Sequence, residues 1–236
     1  MEYSSVIKSV SDNQHEILYN IMQLHNGGKP FDADSTYSIG AFYGEHKANG
    51  KVITIPQPKY KFDVCPQTED TVKIEPLGKL PLENCSIESL VIDLPFVISV
   101  GPSMKEDNPK NNKISRRFSA YYPRYAMFES YEHWIKEAYR VLKPMGILVF
   151  KSQPVVSGGI QLHTTHYSCN VAENVGFYIL DEFILTAKAR LISGKVNNQQ
   201  HARKFHSYFH VFQKDNPKKD KIGYEIREWK NKGENV

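Results

Sequence analysis

The residue in the most demanding chemical setting is Asp93. It ends the apolar run Leu90-Val-Ile and is followed at once by Leu94-Pro-Phe. A short β-branched run of this kind reads as a strand covered on both faces. A carboxylate at its tip is either a solvated strand end or a functional group, and the buried run before it with Pro-Phe after it favours function. Two more acids close short extended pieces, Asp63 after Tyr60-Lys-Phe and Glu75 before Pro76. Acids at such places either accept hydrogen bonds from a ligand or cap a following helix. A fourth, Asp34, opens Asp34-Ser-Thr-Tyr-Ser-Ile-Gly-Ala-Phe-Tyr. Its Gly40 lets backbone approach a ligand closely, and its serines also suit a plain turn. His163 with His166 and His201 with His206 lack a third ligand at metal spacing, so no metal site is expected.

These residues need elements to position them. Residues 15–24 carry apolar side chains at helical spacing and stop at His25-Asn-Gly-Gly; residues 130–142 repeat the pattern and stop at Lys143-Pro-Met-Gly. Residues 60–64, 70–75, 90–93, 146–151, 178–187 and 207–213 read as strands, 171–176 as the end of a helix, and 52–55 as strand or irregular loop. Strands alternating with helices predict an α/β fold with a mostly parallel sheet wrapped by helices. Between the last two strands no helical pattern stands out, which predicts an antiparallel edge. On such sheets ligands sit beyond the carboxyl ends of the strands.

Length allows one domain over residues 1–213, followed by a basic tail over 214–236. The three cysteines, Cys65, Cys85 and Cys169, lack the spacing of a disulfide framework or zinc site. There is no basic-then-apolar leader and no apolar stretch long enough to span a bilayer, so a cytoplasmic chain without a membrane partner is expected. A formal net charge of +4 permits a nucleic-acid partner without requiring one.

Three stretches taken together resemble the class I S-adenosylmethionine-dependent methyltransferases. Residues 80–96, ending in Asp93-Leu-Pro-Phe, are similar to the lead into the strand whose tip carries D-P-P-F or D-P-P-Y in amino-group methylases. Ala138-Tyr-Arg-Val-Leu-Lys-Pro-Met-Gly is similar to the helix, L-K-P-G-G and strand of that family. The loop from Asp34 resembles D-P-x-x-G-x-G-x-F, with Ser35 in place of the proline and Ser38 in place of the first glycine. More loosely, the order of these segments with Gln200-His-Ala-Arg-Lys-Phe-His-Ser-Tyr-Phe resembles small phage-type DNA amino-methyltransferases.

The resemblance implies a Rossmann-like sandwich that binds S-adenosylmethionine and methylates an exocyclic amine of a base, adenine N6 in DNA first, with cytosine N4 or RNA as variants. It makes Asp34, Thr36, Gly40, Phe42, Asp63 and Glu75 cofactor-binding. Asp93 and the Leu94 carbonyl would accept the amine N–H groups, Pro95 would hold the turn, and Phe96 would stack on the base. Residues 97–125 mix basic and aromatic side chains, which suits an unpaired or flipped nucleotide. Lys113, Arg116, Arg117 and Arg124 there, with Lys188, Arg190, Arg203 and Lys204 further on, are expected to contact DNA or RNA. With no length for a separate recognition domain, specificity would come from these loops or from a second subunit in a homodimer. The alternative is a weak or inactive methylase-like module that binds nucleic acid or a protein, since Leu94 replaces the family's first proline and Ser38 its glycine.

Overall fold

The computed structural model describes residues 6–98, 124–187 and 200–218. Helix α1 (Gln14–His25) is capped by Asn13, whose side chain accepts from the His15 and Glu16 N–H groups. It buries Ile17, Leu18, Ile21 and Met22, and the chain reverses at Asn26-Gly27-Gly28, with the Gly28 N–H returning to the Met22 carbonyl. Helix α2 (Tyr125–Val141) begins five residues before the expected start at Ser130, and Met127 lies in the core. Helix α3 (Thr164–Val175) ends at Gly176, as the sequence predicts.

Eight strands form the main sheet. In chain order they are β1 (Val10–Ser11), β2 (Ala33–Asp34), β5 (Tyr60–Asp63), β6 (Val72–Lys73), β7 (Ile87–Ile92), β8 (Leu142–Ser152), β11 (Phe177–Thr186) and β12 (His206–Lys214). Two hairpins, β3 (Gly44–Ala48) with β4 (Lys51–Ile55) and β9 (Val155–Ser157) with β10 (Ile160–Leu162), stand outside it. The spatial order is β1-β11-β12-β8-β7-β2-β5-β6. The strands β8, β7, β2, β5 and β6 run parallel, and β12 runs against both β8 and β11. This is a Rossmann-like α/β sandwich. The antiparallel pairing expected at its edge is present, but β12 lies inside the sheet and β1 continues it beyond β11. Phe209, His210, Val211 and Phe212 are all buried, the pattern of a strand covered on both faces.

Two apolar clusters cover the faces. Ile17, Leu18 and Ile21 of α1 pack with Val91, Ile147, Val149 and Phe209; Tyr131, Trp134 and Ala138 of α2 and Ala172 of α3 pack with Leu90, Ile92, Leu148 and Phe150. Among the described residues the parallel connections from β2 to β5, β5 to β6 and β6 to β7 contain no helix, contrary to the expected pattern of helical crossovers. The hairpin β3–β4 fills the first of these. It turns at Asn49-Gly50, a dipeptide whose left-handed conformation matches the strand twist. Gly146 in β8 is needed for close approach, because a Cβ there would lie 2.9 Å from the Lys143 carbonyl oxygen and 3.0 Å from that of Glu88. Lys214, at the start of the expected tail, completes β12 and is buried, its Nζ donating to the Tyr139 and Leu142 carbonyls.

The segment that leads into β7 is fixed to α2 by one buried acid. Glu137 accepts from the Leu80 N–H at 2.7 Å and from Arg140, which also donates to the Leu80 and Leu82 carbonyls. Burial alone would raise the Glu137 carboxyl, but Arg140 and the Leu80 N–H hold it below its usual 4.5. Its contribution to stability is therefore present above pH 4.5 and lost as pH falls further. Glu137→Leu leaves the buried N–H and guanidinium without this acceptor. It should cost about 2–4 kcal/mol in urea denaturation at neutral pH. The difference from wild type should shrink below pH 4.5, and a constant difference would contradict this account.

Candidate active site

The chain leaves β2 for β5 and β6 on one side, then returns to β7 on the other, so β2 and β7 flank the point where strand order reverses. In open α/β sheets this is where a crevice forms beyond the strand tips. The two tips carry Asp34 and Asp93. Thr36 joins them: its Oγ1 donates to Asp34 Oδ1 at 3.1 Å and accepts from the Asp93 N–H at 2.8 Å. The Thr36 N–H donates to the same Asp34 oxygen at 2.7 Å, and the Tyr43 hydroxyl donates to Oδ2 at 2.7 Å.

Asp34 is 1% exposed. Burial pushes its carboxyl up to about 7; the bonds from Tyr43 and Thr36 act in the opposite direction, and the nearby charge of Asp93 adds to the rise. Burial and the Asp34 charge in turn push the Tyr43 hydroxyl up. The loop after Asp34 is tied to both neighbouring strands, the Ser35 N–H to the Val91 carbonyl and the Tyr37 N–H to that of Phe62. Ser38 takes a left-handed conformation, φ 52°, where the resembling loop has glycine, and its N–H donates to Asp63 Oδ2 at 2.8 Å. Asp63 Oδ1 accepts from the Cys65 N–H. Gly40 is covered by Tyr37, whose ring and hydroxyl would clash with a Cβ at that position. Glu75 is exposed two residues beyond β6, at the same end of the sheet as Asp63. The Ser35 and Ser38 hydroxyl oxygens are buried and find no hydrogen-bond partner among the described residues.

On the β7 side, Asp93 Oδ2 accepts from Lys151 Nζ at 2.9 Å. Ile92 pairs with Phe150, so Asp93 and Lys151 are the next residues along two parallel neighbours. The sequence reading missed Lys151, and its one signal was a cation ending a buried strand. The ammonium lies 5.3 Å from the ring centres of both Phe42 and Phe209. Next to Phe42, His15 stacks on His46 at 3.5 Å and is bonded to the Ala41 carbonyl; burial lowers the His15 pKa. Leu94 is buried in the core, whereas Pro95 and Phe96 are half-buried.

Beyond β8 a second group of residues converges. Gln153 Nε2 donates to the Lys204 carbonyl, and the His201 ring to that of Gly159 in the turn between β9 and β10. The Arg124 guanidinium covers neighbouring Gly158, where a Cβ would come within 2.9 Å of it. Arg124 and Arg203 are exposed and Lys204 half-buried. Lys113, Arg116, Arg117, Lys188 and Arg190 lie outside the described residues. Among the described residues no three His, Cys, Asp or Glu side chains could share a metal ion, and no helix is long and apolar enough to cross a membrane.

The chain matches no family model and no curated protein. Solved structures similar to it include a protein of Thermus thermophilus, assigned as a DNA modification methylase and complexed with S-adenosyl-L-methionine. It is 16% identical, with a TM-score of 0.39, over 58% of this chain and 51% of that one. The PvuII cytosine-N4-specific DNA methyltransferase is 13% identical, with a TM-score of 0.37, over 58% and 45%. A TehB-like S-adenosylmethionine-dependent methyltransferase of Corynebacterium glutamicum is 13% identical, with a TM-score of 0.30, over 61% and 55%. The chain spans about half the length of these structures. The fold assignment itself rests on the strand order and its reversal between β2 and β7.

The Thr36 strut can be tested on its own. Thr36→Val removes both the donor to Asp34 and the acceptor for the Asp93 N–H at constant shape, and should cost about 1–3 kcal/mol in urea denaturation. Thr36→Ser keeps the hydroxyl and should recover most of that loss; equal stability of the valine variant and wild type would contradict the strut.

Proposed function

We propose that this chain is an S-adenosylmethionine-dependent methyltransferase that methylates an exocyclic amine of a nucleic-acid base, adenine N6 in DNA before cytosine N4 or RNA. The observation that carries the reading is the pair of acids on adjacent parallel strand tips, joined through Thr36 at the point of strand-order reversal. The resemblance of the loop and of Asp93-Leu-Pro-Phe to amino-methylase motifs supports it.

The residues around β2 fit a cationic, hydroxyl-bearing donor. Asp63 accepts one backbone N–H on each oxygen, and a carboxylate offers about four lone-pair sites, so each oxygen can take one more donor such as a ribose hydroxyl. The Ser35 and Ser38 hydroxyls of the same loop add two polar groups unpaired among the described residues. Asp34, dried by burial, gains from any positive charge brought near it. When bound, S-adenosylmethionine supplies an electrophilic methyl group on a sulfonium. Asp93 and the Leu94 carbonyl accept the amine N–H groups and stabilise the positive charge that develops on the nitrogen. Pro95 fixes the turn, Phe96 offers a face for the base, and the exposed Arg124 and Arg203 with the half-buried Lys204 are assigned to the phosphates.

A second reading, a module that binds nucleic acid without turnover, is favoured by the ammonium already seated on Asp93 Oδ2. Labelled-methyl transfer to mixed DNA and RNA oligonucleotides separates the two. The enzyme reading expects transfer that Asp93→Ala lowers by about 100-fold or more, as loss of a transition-state acceptor does, while calorimetry still detects donor binding. Salt-sensitive nucleic-acid binding with no transfer by wild type would support the module instead.

Asp34 adds a pH test. A cation binds its ionised form better, so donor affinity should rise as pH increases from about 6 to about 8 through the Asp34 value of about 7, by at most about tenfold per unit. Asp34→Asn should abolish this dependence, and an unchanged slope would assign it to another group.

A further inference from the structure

We infer that Lys151 recognises the target base: with Asp93 it presents a paired acceptor and donor, the carboxylate for the N–H of the amine and the ammonium for the ring nitrogen beside it. The inference rests on the methyltransferase reading and names what that site takes, an N–C=N edge of the kind adenine and cytosine share.

The argument begins from an incomplete set of hydrogen bonds. Lys151 is 7% exposed, and an ammonium carries three donors. Among the described residues one acceptor is found for it, Asp93 Oδ2 at 2.9 Å. The Phe42 and Phe209 rings also lie close to Nζ and attract a cation without offering an oxygen or nitrogen, while His15 is near enough for its positive charge to be opposed by that of Lys151. Buried donors left unmade are costly, so a ligand that brings an acceptor gains more here than it would in water. The neighbouring carboxylate makes the converse demand, since it seeks an N–H. A simple amine answers only the carboxylate, and a carbonyl answers only the ammonium. An exocyclic amine flanked by a ring nitrogen answers both at once, at the geometry of two adjacent strands. Lys151 is thus a specificity residue as well as the partner that holds Asp93.

The experiment uses an oligonucleotide of abasic sites carrying one target base, because an abasic sugar has neither an amine nor a ring nitrogen. Binding in the presence of S-adenosylhomocysteine is compared for adenine against 1-deazaadenine and for cytosine against 3-deazacytosine, which keep the amine and lose the ring nitrogen. For whichever base wild type binds, the deaza partner should bind about tenfold or more weakly, the loss of a hydrogen bond to a charged donor. Lys151→Met, which keeps the stem between Phe42 and Phe209, should bind parent and deaza bases alike, and Lys151→Arg should keep the preference. Equal binding of both bases by wild type overturns the inference, as does a preference that persists in Lys151→Met. Labelled-methyl transfer to the parent oligonucleotide is scored separately. Transfer with no deaza effect removes the role of Lys151 alone, whereas no transfer, and no preference over an all-abasic strand, removes the enzyme reading with it.

Discussion

Two carboxylates of like charge stand on neighbouring strand tips, one of them almost dry, and the surrounding structure is arranged to tolerate that. Parallel strands bring their carboxyl ends together, so acids at the ends of β2 and β7 are neighbours by topology. Asp34 is served by the Tyr43 hydroxyl, by Thr36 and by a tight turn, yet burial outweighs those bonds and pushes its carboxyl up to about 7. Asp93 is served differently, by a lysine on the next strand. The two acids therefore sit in different surroundings, one dry and bonded by neutral groups, the other against an ammonium. One is poised to gain from an incoming cation and the other is already paired, which is the asymmetry that a site joining a cationic donor to a neutral amine needs.

The sheet around this pair is uneven. On the β7 to β11 side the strands are long, α2 and α3 cover one face, and buried polar groups are bonded across strands: His210 joins Ser152 through one ring nitrogen and Glu182 through the other. Although a serine, a histidine and an acid stand in line there, Ser152 is fully buried, so the trio is a strut of the sheet. On the β2 to β6 side the strands are short, and hairpin β3–β4 and loops replace helices. The half with long strands thus presents Asp93 and Lys151, and the half with irregular connections presents Asp34, Asp63 and the two serine hydroxyls that are unpaired among the described residues. Loops at strand tips positioned by a stiff scaffold are where binding groups usually sit.

Much of this was legible in the sequence, and the limits have physical causes. Asp93 stood out because an acid that interrupts an apolar run has few structural reasons to be there. The helices were legible through apolar spacing and their glycine stops. Lys151 was not, because a lysine at a strand end ordinarily lies in solvent, and only the neighbouring strand shows that Asp93 waits for it. Hairpin β3–β4 is only half legible, although Asn49-Gly50 is a strong local turn signal, since β3 is short and polar and residues 52–55 suit either a strand or a loop. The interior position of β12 depends on which strand it pairs with, and local pattern does not specify that choice. Gly40 illustrates the opposite case: the glycine was legible as a steric requirement, and the group that imposes it in this structure is the Tyr37 ring.

The central claim is that a methyl donor sits over the tips of β2 and β7. A crystal structure with S-adenosylhomocysteine tests it most directly. The account predicts the product's sulfur beside the Asp34 to Ser38 loop, its ribose against Asp63, and its open side towards Asp93. Product lodged in the groove at the other end of the sheet, lined by Leu24, Met145 and Leu180, or a corner at Asp34 that stays closed around Tyr43 with no product beside it, would contradict it.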